Sequence, residues 1–447
     1  KRSQTSGTIE VEKFRMGRIL LLGLSVLAAA FVSSYQWLLR HRLGVDASYY
    51  DYALYRMNVD GIQVAFSTDR PLTLLVFYVA EKILGLQYSG AEPSHLLRFL
   101  PVALAMILAV VTYFFTRPVG EDTAALAAAF VAVSPHVTVG VEYFIVANWL
   151  GIVLMMLFLY LFSRSVTQRS KSLVFLTIAL SGFILGVHYF TWFLMVAVVV
   201  IYLLLALVEK RFSRRGEMAF CALLVLGCTV PLVLAFILAY QGGGLPHVPR
   251  FTFQYANVND MLRQFLTLAT PSNFVSLFLS QDRIFNYFGR NHYATPLLYV
   301  LALAGSLKLW RMREDRERLL RSWLIASSLG VLLVQYDELW RFLYMLPLEI
   351  LAALGLTTFL GYLKPHENST AVEKNDLRSI GLLVTGFFTP GLLLAFSPLP
   401  SSLLFLSPIP VILVELRSQQ KGWGGTIFLL TVSLILEQVA RALCVFV

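Results

Sequence analysis

The sequence predicts an all-α protein, a polytopic bundle of about 13 transmembrane helices with interfacial helices in its first outer loop. Three observations predict it. Hydrophobic residues make up 57% of the 447-residue chain and charged residues only 14%, whereas soluble domains carry about 25% charged residues. The apolar residues gather in segments of about 16 to 24, the length of helix that crosses roughly 30 Å of hydrocarbon. The cations are also one-sided: with a cytoplasmic N-terminus, 24 of the 36 Lys and Arg fall in inner loops and 12 elsewhere. The net charge of +10 is therefore a mark of topology, and no nucleic-acid partner is expected.

In chain order the candidate spans are 19–38, 96–115, 123–140, 145–163, 173–189, 191–208, 218–240, 295–310, 319–335, 341–361, 379–397, 401–416 and 425–446. The first follows a basic segment, as a signal peptide would. It runs past the usual apolar length, and no small-residue cleavage pattern precedes Arg40, so it reads as a retained span. Residues 72–86 are apolar but short, and they carry Glu81 and Lys82. Were they to cross, 19 of the 24 inner cations would move outside, so they are expected to lie as an interfacial helix on the outer surface. Two outer loops, 39–95 and 241–294, are long, and long ordered loops are usually functional. Residues 1–361 form one region and residues 362–447 a second of three spans, with no soluble domain appended and no internal repeat. Cys221, Cys228 and Cys444 lie in apolar segments with no paired spacing and are read as packing residues. The sequon at Asn368 falls in an inner loop and is expected to be unmodified.

The first outer loop is acidic, aromatic and poor in Lys. Asp46 comes a few residues after the first span, near the membrane surface, where partial burial makes a carboxylate a usable base. Asp followed by Ala-Ser-Tyr is equally a helix N-cap, and spacing alone leaves both readings open. Asp51, Asp60 and Glu92 are most simply solvated. Arg341 sits at the outer end of an apolar helix, where a charge is costly unless it is paired or snorkels to the interface, and Asp337 and Glu338 are nearby partners. His188 lies in a turn between two spans and His292 in the second long loop.

Asp46 with Tyr50, Ala53, Arg56 and Met57, then Asp69-Arg70-Pro71, Tyr78, Gly85 and Arg98, resembles the amino-terminal signature of the C-type (GT-C) polytopic glycosyltransferases. The pattern is most similar to the aminoarabinose transferase branch, itself similar to the protein O-mannosyltransferases. Ser134-Pro135, Gly186 to Thr191, and Arg341-Phe342-Leu343-Tyr344-Met345-Leu346-Pro347 resemble the same family in the same order, over residues 15–361. The resemblance implies that residues 1–361 are the catalytic region of an inverting transferase. Such an enzyme moves a sugar from a polyprenyl-phosphate donor to a lipid, glycan or protein acceptor on the non-cytoplasmic face of a plasma or equivalent membrane. Its membrane lipids are further partners. The chemistry fits these residue types: the acceptor needs a base, and the phosphate leaving group needs cations more than an acid. By resemblance Asp46 is the base, and Arg70 and Arg341 are donor-phosphate ligands. Tyr50, Glu142 and His188 are substrate-binding candidates, and Asp69 with His292 would hold a divalent metal cation. Two residues depart from the family pattern. Ala47 replaces an acidic residue that often follows the first Asp, and Asn148 stands where many relatives carry a second Asp. They keep open a non-catalytic subunit of a membrane complex as an alternative. A transporter or scramblase is another, although the paired repeats and midplane charges of that class are not evident. An oligosaccharyltransferase ranks lower, because no soluble C-terminal domain follows the last span.

Overall fold

The computed structural model describes residues 17–34, 43–44, 46–68, 70–86, 95–132, 134–211, 215–241, 296–329 and 344–362. Every regular element among these described residues is helical. In order they are α1 (Gly17–Ser34), α2 (Ala47–Asp60), a 3-10 turn (Ile62–Ser67), α3 (Pro71–Ile83), α4 (His95–Thr116), α5 (Glu121–Ala132) and α6 (Pro135–Tyr143). Then follow α7 (Val146–Gln168), α8 (Lys171–Val187), α9 (Tyr189–Val208), α10 (Arg215–Gln241), α11 (Pro296–Arg311), α12 (Asp315–Ser328) and α13 (Leu348–Tyr362).

Four of these, α1, α4, α7 and α9, are long and apolar enough to cross a membrane. Helix α8, Gly216–Pro231 of α10 and Leu348–Phe359 of α13 are shorter apolar helices. The expected 13 spans are thus not all present among the described residues, and the spans expected at 379–397, 401–416 and 425–446 lie outside them. Large apolar side chains such as Leu27, Phe175 and Leu223 point outward, the surface expected of helices solvated by hydrocarbon. Helix α3 covers most of the stretch expected to be interfacial. Its 13 residues reach about 20 Å, too short to cross, and Thr73, Leu74, Phe77 and Glu81 are its buried face.

One expected span is corrected. Residues 123–140 are not a single helix but break at Ser134. The residue before a proline is driven out of the helical region, and Ser134 is extended at ψ 167°. Its hydroxyl accepts the N–H of His136 at 3.1 Å and so starts α6 afresh, with Pro135 at the first helical position. Helix α5 has only 12 residues, about 18 Å.

The helix termini gather at two ends. At one end lie the starts of α2, α3, α7, α9 and α13 with the whole of α6, tied by contacts described below. At the other, the charged termini pair: Arg18 with Glu121 and Asp122, Arg169 with Glu217 at 2.9 Å, and Arg318 and Arg321 with Glu209 at 2.8 and 2.6 Å. Between the ends the closest helix crossing is that of α11 on α13. A Cβ on Gly305 would fall inside 3.0 Å of the Leu351 carbonyl, and one on Gly355 inside 3.0 Å of the Leu301 carbonyl. Small residues let backbones touch where apolar side chains gain nothing by leaving lipid.

Candidate functional site

Asp46 occupies the N-cap of α2, where an Asp side chain usually accepts a backbone N–H. Its carboxylate makes no such cap bond. The backbone is held instead: Asp46 N–H donates to the Tyr143 carbonyl at 3.0 Å, at the end of α6. That carbonyl is delivered by a tight turn in which Phe144 adopts a left-handed φ of 57°, uncommon for an aromatic residue. The half-buried Asp46 is therefore fixed in place without its carboxylate being used to start a helix.

One turn further along α2, Tyr50 is fully buried. Its ring meets Tyr49 edge-on at 5.2 Å and lies 5.7 Å from Phe77 and 5.8 Å from Phe144. Its hydroxyl accepts Nη1 of Arg70 at 2.7 Å. Arg70 precedes Pro71, the first residue of α3, and is itself buried, with its guanidinium 5.8 and 5.9 Å from the ring centres of Tyr49 and Tyr50. The arginine that opens α3 is thus held on the tyrosines one helical turn after Asp46. Tyr50, expected to touch substrate, touches Arg70 and aromatic rings in this structure.

Helix α3 is seated on the end of α8. Thr73 donates to the Val187 carbonyl at 2.8 Å, and Gly186 leaves room for Leu72, which a Cβ would meet at 2.6 Å. His188 follows, fully buried, as the N-cap of α9. Its Nδ1 accepts the Thr191 N–H at 3.3 Å and lies 2.7 Å from the Thr191 hydroxyl. That makes His188 a capping histidine between two helices. Gly151 of α7 lies against the same Thr191, where a Cβ would approach Oγ1 to 2.7 Å.

A second set of residues, missed in the sequence, ties α6 and α7 to the start of α13. His136 Nδ1 and Glu349 Oε1 are 2.6 Å apart with both side chains nearly buried. Trp149 Nε1 donates to the His136 carbonyl and to the Tyr344 hydroxyl, each at 2.6 Å, and the Tyr344 hydroxyl donates to the same carbonyl at 2.5 Å. Burial disfavours the charged imidazolium, but the charge and hydrogen bond of Glu349 outweigh it and hold the His136 pKa above the ordinary histidine value. Glu349 in an apolar run was the available signal, since an acid there must find a partner. Nearby in sequence, Asn148 in the first turn of α7 is 1% exposed, and neither polar atom of its amide has a hydrogen-bond partner among the described residues. Glu142 lies on α6, but its side chain is outside the described residues. Arg341, Asp69 and His292 also lie outside them. Among the described residues no three His, Cys, Asp or Glu side chains gather as a metal site would require.

Residues 71–364 match the family model described as oligosaccharyl transferase STT3, N-terminal. The match covers well over half of the chain. The chain belongs to this family. No curated protein sequence matches it. Among solved structures it is similar to ArnT from Cupriavidus metallidurans in the apo state, with TM-score 0.57 and 14% identity over 96% of this chain and 77% of that one. It is similar to the same protein bound to undecaprenyl phosphate, with TM-score 0.54 and 15% identity over 95% and 76% of the two chains. It is similar also to the Archaeoglobus fulgidus oligosaccharyltransferase in complex with Zn and sulfate, with TM-score 0.50 and 16% identity over 77% and 49%. The chain spans about half the length of that archaeal protein. The expected resemblance to the C-type glycosyltransferases is thereby shown, and the chain is an integral membrane protein of that fold. The oligosaccharyltransferase branch, ranked lower from the end of the chain, is the one whose family model matches. That match lies within residues 71–364 and does not depend on a soluble domain.

Proposed function

We propose that this STT3-family chain transfers a sugar from a polyprenyl-phosphate-linked donor to an acceptor, with inversion at the sugar carbon and with its reacting groups on the non-cytoplasmic face. The observation that carries the reading is the buried Arg70, bonded to Tyr50 one helical turn after Asp46, in a family of transferases. The undecaprenyl phosphate bound to one fold neighbour supports a lipid-phosphate donor.

In this reading the acceptor attacks the sugar carbon as the bond to the phosphate oxygen breaks. Asp46 takes the acceptor proton, and its carboxylate, not engaged as a helix cap, is suited to that. Arg70 presents a planar set of N–H donors to the leaving phosphate, and Tyr50 fixes their orientation by accepting one of them. Arg341 is the second proposed phosphate ligand. Tyr50 and His188 act by positioning Arg70 and the start of α9, whereas Glu142 remains a proposed acceptor contact. Asp69 and His292 remain the proposed ligands of a divalent cation, a reading supported by the Zn held by the archaeal neighbour. The described residues assemble no metal cluster, so no step here is routed through one.

Arg70→Ala is expected to weaken binding of a polyprenyl-phosphate sugar by about ten- to a hundredfold, as loss of a charge-assisted hydrogen-bond pair does. Tyr50→Phe keeps the aromatic packing and should cost less. Titration of the purified variants with the donor checks this, and unchanged affinity in Arg70→Ala would remove Arg70 from the site. The face is tested by cysteine labelling. Positions beside Asp60 and Gly243 should react with an impermeant reagent from the non-cytoplasmic side, and reaction only from the cytoplasm would overturn the topology.

A second reading, a non-catalytic member of the same fold, is favoured by Asn148. An amide cannot take a proton as a carboxylate does, and it stands where the resemblance places a second Asp. Donor binding without turnover would support that reading.

A further inference from the structure

The end of the molecule opposite Asp46 carries most of the arginines among the described residues, and those around one recess there are held in two different ways. Arg18, Arg117, Arg169, Arg211, Arg318 and Arg321 each lie against a carboxylate. Arg164, Arg313 and Arg316 have no carboxylate partner among the described residues. Arg164 and Arg316 instead both lie over one ring, that of Tyr160, with their guanidinium carbons 5.6 and 5.8 Å from its centre. Two like charges on one aromatic ring repel each other, and an anion between them would relieve that repulsion.

The space for such an anion is present. A cavity of about 580 Å³ is lined by Arg164, Arg211, Arg313 and Arg316, with Glu314 and Asp315 as its only acids. Asp315 is already engaged by Arg211 at 2.9 Å and by Arg318 at 2.5 Å, so the recess is positive. Its volume is that of a site for a small molecule. Beside it the apolar side chains of Phe115, Val119, Leu159, Leu319 and Leu320 close around a space of only about 20 Å³, too small for an acyl chain, which shares Ser163 and Arg316 with the recess. The charged recess therefore lies at the level where the helices end and their apolar side chains begin.

We propose that this recess binds a phospholipid with an anionic phosphate headgroup. Arg164, Arg313 and Arg316 hold the phosphate, and the acyl chains lie in the bilayer outside the helices. Arginine forks match phosphate oxygens, and basic pockets between transmembrane helices suit acidic headgroups. With the cation-rich loops cytoplasmic, the lipid belongs to the inner leaflet, and the site is distinct from the one at Asp46 and Arg70.

The test is native mass spectrometry of the full chain released from nanodiscs of phosphatidylcholine with a tenth phosphatidylglycerol. The wild type should retain phosphatidylglycerol at about tenfold or more its share of the bilayer. Each arginine near an anionic headgroup contributes about fivefold, so the triple variant Arg164→Gln, Arg313→Gln, Arg316→Gln should lose roughly a hundredfold in affinity. Should the triple variant fail to fold, the exposed Arg313→Gln alone should lose about fivefold. Arg117→Gln removes a carboxylate-paired cation at the same end and should change nothing. Undiminished phosphatidylglycerol in the folded triple variant or in Arg313→Gln would overturn the proposal, as would an equal loss in Arg117→Gln. Displacement of the lipid by the same concentration of glycerol phosphate or inorganic phosphate would overturn the lipid assignment and show a free-phosphate site.

Discussion

Asp46→Asn is expected to lower turnover by about a hundredfold to ten-thousandfold while leaving the protein folded and able to bind its lipid donor, the range a general base contributes. The substitution keeps the shape and much of the hydrogen bonding of the side chain but removes its ability to take a proton. Folding should be untouched, because Asp46 is held through its backbone N–H on the Tyr143 carbonyl and its carboxylate caps nothing. The same fact separates this variant from an ordinary helix-cap deletion, which would cost about 1 kcal/mol of stability. Asp51→Asn, in the same helix with no assigned role, is the control. Donor binding and turnover measured side by side on both variants decide the matter. Equal losses in the two would mean that the acidic loop acts on substrate approach through its charge. Full turnover in Asp46→Asn would end the base assignment and leave the non-catalytic reading ahead.

What was legible in the sequence follows from how local each signal is. Helices α4, α7 and α9 fall within a few residues of the segments expected at 96–115, 145–163 and 191–208, because hydropathy over one helix length is a local property. The break at Ser134 is also local, yet the Ala-rich run before it hid the proline signal, and the two helices were read as one span. Contacts between distant parts of the chain were out of reach. The His136–Glu349 pair joins residues 213 apart, and the Arg70–Tyr50 bond depends on how α3 is seated on α8. Neither is encoded in spacing. Asp46 could be singled out only by resemblance, since its local sequence serves a helix cap as well as a base. The structure shows that the carboxylate makes no cap hydrogen bond, which argues against the cap and leaves the base assignment to the turnover measurement. The candidate residue types were therefore visible in the sequence, and the contact of Arg70 with Tyr50 was not.

The crossing of α11 on α13 predicts the largest loss of stability. At Gly305 and Gly355 each helix lies against the other's backbone carbonyl, and a Cβ at either position would come inside 3.0 Å of that oxygen. A backbone carbonyl within a helix cannot swing away as a side chain can, so even Gly355→Ala must push the two helices apart. Overpacking of this kind costs about 1–3 kcal/mol and occasionally more, and separating a long interface belongs at the upper end. The effect should reach the other helices, because the first turn of α13 carries Glu349, which holds His136 and through it the turn that carries Asp46. Thermal unfolding in detergent should therefore fall markedly for Gly305→Ala and for Gly355→Ala. The double variant distinguishes this account from two independent helix defects. The glycines share one contact, and once the first substitution has opened it the second has less to displace, so the combined loss should be smaller than the sum. Additive losses would show that each glycine matters only within its own helix and that the helices do not touch here.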